Sequence, residues 1–175
     1  KLISLSPQDA KAHSNLAVTL QELGRSKEAE ASCRRAIILK PDYVQAHVNL
    51  GKTLQELGKL DEAEASYTQA IALKPDYAEA HNNLGATLQE LGRLQKAEAS
   101  YRQAITLKPD FAEAYNNLGH TLELVGRFEE AEISLRQAIL IKPNYGEAYN
   151  NLGNTLKELV KLEEAEASYR QAIAL

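Results

Sequence analysis

Cysteine, long apolar runs and any excess of positive charge are scarce in this chain. Cys33 is the only cysteine among 175 residues, so no disulfide can close within the chain and a thiolate metal site would lack its other ligands. No stretch reaches the roughly 18 apolar residues that cross a bilayer, and the opening KLISLSP has neither the charged region nor the long apolar stretch of a secretion signal. With 20 basic and 24 acidic side chains the formal net charge is -4, which gives no field suited to a nucleic-acid backbone or an anionic membrane. The glycines have no phosphate-loop spacing, so nucleotide binding has no support, and Ser, His and Asp form no recognisable triad. Glu129 with Glu130, and Glu163 with Glu164, read as charge favourable to a helix start rather than as catalytic acids. The chain is therefore read as non-enzymatic, without cofactor or metal. Its compartment is unknown, with a reducing, cytoplasmic setting favoured.

What the chain does have is a period. Pro7, Pro41, Pro75, Pro109 and Pro143 are spaced by 34 residues, which marks an array of equal units. The units run over residues 10–43, 44–77, 78–111, 112–145 and 146–175, the last one truncated, and residues 1–9 match the end of a preceding unit. Both ends read as cut repeats without a polar cap, so end-to-end self-association is expected.

Within the third unit Ala78, His81, Leu84, Gly85 and Leu88 recur at helical steps, predicting a helix over roughly 77–91. After Gly92, the residues Ala97, Tyr101, Ala104, Ile105 and Leu107 predict a second helix over roughly 95–107. Each unit is then an antiparallel helix pair. Asp76 with Glu79, Asp110 with Glu113 and Asn144 with Glu147 have capping-box spacing, and Ser6, Pro7 and Asp9 offer a similar start in the first unit. Gly24, Gly58, Gly92 and Gly126 mark left-handed turns inside the pairs, whereas Val160 breaks the rule and predicts an altered or strained turn. Ala17, Gly51, Gly85, Gly119 and Gly153 on the first helices, and Ala29, Ala63, Ala97, Ala131 and Ala165 on the second, read as close packing contacts.

The run NNLGATL at 82–88, with Ala97, Tyr101, Ala104 and Pro109, resembles the signature of the tetratricopeptide repeat family over nearly the whole chain. The resemblance implies an all-α fold, a right-handed superhelical solenoid of antiparallel helix pairs whose first helices line a concave face. It also implies a scaffold that binds other polypeptides there. Cys33 and Leu135 replace the aromatic found at Tyr67, Tyr101 and Tyr169, and His13, His47 and His81 alternate with Tyr115 and Tyr149. Those histidines, about 10 Å apart by ordinary helix packing, are too far apart to share a metal and read as packing residues.

The leading candidates for binding are Asn15, Asn49, Asn83, Asn117 and Asn151, one per unit. A carboxamide both donates and accepts, so it suits the main chain of an extended peptide irrespective of sequence. The series resembles the asparagine ladder of O-linked N-acetylglucosamine transferases. The alternative is that each amide fixes the stacking of neighbouring units. Asn82, Asn116 and Asn150 add amide character beside the ladder, while Lys52, His120 and Asn154 occupy a variable position suited to reading side chains. No basic cluster accompanies Lys52, which disfavours an acidic-tail clamp, and a basic or neutral peptide suits the Glu-bearing rim. Two other readings stay open: a substrate-recognition region of a larger glycosyltransferase-like enzyme, and a self-associating structural array.

Overall fold

The computed structural model describes residues 8–175, which form ten α-helices and, among the described residues, no strand. Ser6, Pro7 and the leading remnant of a repeat lie outside that range. The chain divides into two compact units, Lys1–Leu91 and Gly92–Leu175. The first holds α1 (Ala10–Glu22), α2 (Ser26–Leu39), α3 (Val44–Glu56), α4 (Leu60–Leu73) and α5 (Ala78–Glu90). The second holds α6 (Leu94–Leu107), α7 (Ala112–Leu124), α8 (Phe128–Ile141), α9 (Gly146–Glu158) and α10 (Leu162–Ala174). Inside each unit, every helix packs on the one that follows it, and α1 also touches α3, α3 touches α5, and α7 touches α9. The all-helical, pairwise-packed architecture read from the 34-residue period is the one adopted.

The helices start one residue later than capping-box spacing suggests. Tyr77, Phe111 and Tyr145 occupy the cap and make no side-chain cap bond, and Asp76, Asp110 and Asn144 lie one position too early to reach the first turn. The aromatic ring decides the position, because each one is covered by the ammonium of the lysine three residues before it, at 4.9 Å for Lys74 over Tyr77 and 4.4 Å for Lys142 over Tyr145. Among the described helices only Asp9, which stands one period before Tyr43, caps with its side chain, accepting from the Lys11 and Ala12 amides at 2.8 and 3.2 Å.

The turns inside the pairs close with the bond pattern of a Schellman motif, as in Arg25 N–H to Leu20 C=O at 2.8 Å. Gly24, Gly58, Gly92 and Gly126 have φ of 71° to 77°. Val160 keeps the same geometry at φ 59°, with Lys161 N–H bonded to Leu156 C=O at 2.9 Å. The turn is thus preserved and strained, at a cost of about 1–2 kcal/mol for a residue with a Cβ.

Gly51, Gly119 and Gly153 inside the first helices are space-limited. A Cβ on Gly51 would stand 2.6 Å from the Tyr67 ring, and one on Gly119 would stand 2.5 Å from Leu135. In the first pair a Cβ is present, on Ala17, and the residue at the aromatic position is the smaller Cys33; both are wholly buried in one apolar cluster. The two departures from the repeat therefore offset each other in volume. Burial pushes the Cys33 thiol up to about 11, so it stays protonated and unreactive at neutral pH.

Candidate functional site

The asparagine series sits in mid-helix on α1, α3, α5, α7 and α9, at one position per first helix of a pair. Where these amides are described as donors, they donate to the preceding first helix. Asn49 Nδ2 donates to Ser14 Oγ at 3.0 Å, and Asn151 Nδ2 donates to Asn116 Oδ1 at 3.0 Å. Donor and acceptor are 35 residues apart in both cases, so the partner is the residue just before the series in the previous unit.

The members differ in how far they are committed. Asn49 is 4% exposed, and its Oδ1 also accepts from Gln45 Nε2 at 2.9 Å, so both ends of the amide are used within the protein. Asn116 is 1% exposed and passes its own Nδ2 to Glu147 Oε1 at 3.1 Å, making the chain Asn151 to Asn116 to Glu147. Glu147 therefore takes a neighbouring unit's amide rather than closing a capping box. Asn83 is half-buried and has no such bonds, because the residues equivalent to Ser14 and Gln45 are Val48, which cannot accept, and Glu79, which cannot donate as a carboxylate. Asn15 and Asn150 are exposed, and Asn82 and Asn117 are half-buried.

The variable position is equally uneven. Lys52 is exposed on α3 and carries no ion pair among the described residues, whereas Asn154 accepts from Tyr169 O–H at 2.9 Å. His120 is half-buried on α7 beside Glu123. His47 and His81 place Nε2 at 2.8 and 2.9 Å from the Pro41 and Pro75 carbonyls, a packing role that ties each first helix to the loop before it.

A second line of rungs lies one turn further along the first helices. Gln21 donates to Glu56 and Gln55 donates to Glu90, each at 3.1 Å, and Tyr67 O–H donates to Gln55 Oε1 at 2.7 Å. In the second unit Glu123 stands in the glutamine position, touched only weakly by the Thr155 hydroxyl at 3.5 Å. Burial, reinforced by Glu158, raises the Glu123 carboxyl above its ordinary value against the opposing pull of His120 and Thr155. The sequence analysis names only a Glu-bearing rim and misses the rungs, whose signal is a Gln followed 35 positions later by a Glu.

Family profiles described as tetratricopeptide repeat match residues 48–110 in one case and 8–76 with 110–175 in another, together spanning almost all of the chain. The chain belongs to the tetratricopeptide repeat family. It is thus a repeat scaffold of the protein-interaction type, a module that ordinarily carries no catalysis of its own. Among solved structures it is similar to MamA, at 25% identity over 90% of this chain and 92% of that one, with a TM-score of 0.81. PilF of Pseudomonas aeruginosa shares the fold at 21% identity over 94% of this chain and 75% of that one, with a TM-score of 0.87. YrrB, a repeat protein with an unusual peptide-binding site, does so at 22% identity, covering 99% of this chain and 90% of that one, with a TM-score of 0.77. Comparison with curated protein sequences gives no match. No helix among the described residues is long and apolar enough to cross a membrane.

Proposed function

We propose that this tetratricopeptide repeat chain holds an extended polypeptide against the first helices of its pairs, with the asparagine series supplying sequence-independent contacts to the main chain. The units are those of the 34-residue period, residues 10–43, 44–77, 78–111, 112–145 and 146–175. The observation that carries the reading is the state of Asn83. Its amide is half-buried, lacks the acceptor and donor that Asn49 has, and so retains both functions for an incoming peptide group. Exposed Asn15 and Asn150, half-buried Asn82 and Asn117, and Lys52, His120 and Asn154 at the variable position supply the remaining contacts. Asn49, Asn116 and Asn151 act mainly as struts that hold the spacing. A peptide-binding site in YrrB, which shares the fold, makes the reading a natural one. The likeness of the series to the ladder of O-linked N-acetylglucosamine transferases supports the same geometry of capture.

The test compares Asn83→Ala with Asn49→Ala on an array of unrelated unstructured peptides. Asn83→Ala should weaken binding about fivefold across many sequences while leaving the melting curve unchanged, as expected for one lost hydrogen bond of about 1 kcal/mol. Asn49→Ala should instead lower stability by about 1 kcal/mol. Undiminished affinity in a well-folded Asn83→Ala protein would remove the ladder from the binding site.

A further inference from the structure

Inside the second unit, the junction of α6 with α8 is closed by a box of charges. Glu98 meets Arg127 at 2.8 Å and Arg102 meets Glu130 at 3.3 Å across the junction. The members on each side also hold one another, Glu98 with Arg102 at 2.9 Å and Arg127 with Glu130 at 2.6 Å. Arg127 serves both carboxylates at once, with Nη1 on Glu98 and Nη2 on Glu130. A pair already bonded to itself therefore still receives a second pair from its neighbour.

Each half of that box recurs on its own elsewhere in the chain. On α10, Glu166 and Arg170 stand 2.7 Å apart in the positions of Glu98 and Arg102, but the Glu166 side chain is 61% exposed where that of Glu98 is 17% exposed. At the start of α2, Arg25 and Glu28 hold the positions of Arg127 and Glu130 and make the same 2.6 Å contact. Nε and Nη2 of Arg25 are spent on Glu28, as in Arg127, whereas its Nη1 has no acceptor among the described residues. The two halves are complementary in sign and in order.

The apolar surroundings match as well. Leu57 lines one hollow with the turn of the pair before it, Gly24 to Glu28. Its counterpart in the first pair, Leu23, is 63% exposed, and the turn in register with that hollow carries exposed Val160 and Leu162.

We propose that copies of this chain join head to tail, the α10 face of one seated on the first helix pair of the next. Glu166 takes Arg25 of that copy and Arg170 takes its Glu28, as Glu98 takes Arg127 and Arg102 takes Glu130, while Leu23 enters the apolar turn at Val160 and Leu162. The two faces differ, so each joined copy keeps one for a further copy and the contact propagates. The association is separate from the holding of a polypeptide by the first helices.

The test follows average mass against concentration by sedimentation of the intact chain. Mass should rise past that of two copies, and added salt should weaken the association. Reversing the α10 pair (Glu166→Arg with Arg170→Glu), or the first pair (Arg25→Glu with Glu28→Arg), should weaken it about tenfold or more, because two attractions become two repulsions. Each reversal keeps an ion pair within its own half, so the helical spectrum should not change. An equimolar mixture of the two reversed proteins should associate as the unreversed chain does, and Glu129→Arg, on the exposed start of α8, should have no effect. The mass of one copy at every concentration, association indifferent to either reversal, or no recovery in the mixture would each overturn the proposal. None of these outcomes bears on peptide affinity, which is measured separately.

Discussion

On the second helices of the pairs, three junctions between neighbours repeat one set of ionic contacts, with Thr68 in place of the arginine at a fourth; on the first helices, the equivalent junctions are built from residues that change from pair to pair. Glu30 lies between Arg34 at 2.9 Å and Lys59 at 2.8 Å, while Arg34 reaches Glu62 at 2.6 Å. The same arrangement returns as Glu98 with Arg102 and Arg127, and as Glu132 with Arg136 and Lys161. Arg102 and Arg136 extend it to Glu130 and Glu164. Opposite these, the acceptor for the asparagine series is Ser14 in one junction and Asn116 in another, and Val48 takes its place in a third. Repeated contacts on one side suit a structural lattice that joins one pair to the next. Variation on the other side leaves amides such as that of Asn83 without the side-chain partners that Asn49 has, and the proposed peptide contacts lie there.

The seam between the two sides gives the harshest test of that division. Tyr67 on α4 fills the space over Gly51 and reaches through to Gln55 on the first-helix side, so Tyr67→Ala should cost about 3–5 kcal/mol in urea unfolding and disturb both sides at once. A loss confined to the ionic side would break the comparison.

A smaller effect should isolate the lattice. The Glu30 side chain is 14% exposed between two cations. The Lys59 ammonium, aided by Arg34, holds its carboxyl below the ordinary glutamate value of 4.5. Folding therefore binds fewer protons than the unfolded chain, and the contribution is complete above that value and lost as the pH falls through the folded one. Glu30→Ala should lower stability at neutral pH by about 1 kcal/mol and flatten the acid limb of the stability curve, with peptide affinity unchanged. Glu132 gives an independent check: burial alone would raise its carboxyl, but Lys161 and Arg136 outweigh burial and hold it low.

The smallest effect concerns the turn. Val160→Gly should raise stability by about 1 kcal/mol or slightly less, since relief of the left-handed strain is offset in part by the entropy of a new glycine in the unfolded chain. The increase should appear in thermal unfolding without any change in peptide binding.

Much of the scaffold was legible because it is periodic. Recurring proline, glycine and alanine positions fixed the helix pairs and their close approach, and Val160 announced its own strain. The helix starts were displaced by one residue because an aspartate before an aromatic resembles a cap, and only the lysine resting on the ring shows that the aromatic holds that place. Both roles of the asparagines were foreseen, but which residue takes which was not legible. An amide's partner is set by a residue 35 positions earlier, so identical asparagines become struts or open contacts according to whether serine, asparagine or valine waits there. The Ala17 and Cys33 departures likewise meant little apart and became a volume exchange once seen in one cluster.

The side-chain bonds that tie neighbouring pairs join residues only 28 to 35 positions apart. Each closes a loop of about one period, so adding pairs does not lengthen any loop that must form during folding. Folding speed should accordingly depend on the fastest pair to nucleate rather than on chain length, with structure spreading outward to its neighbours.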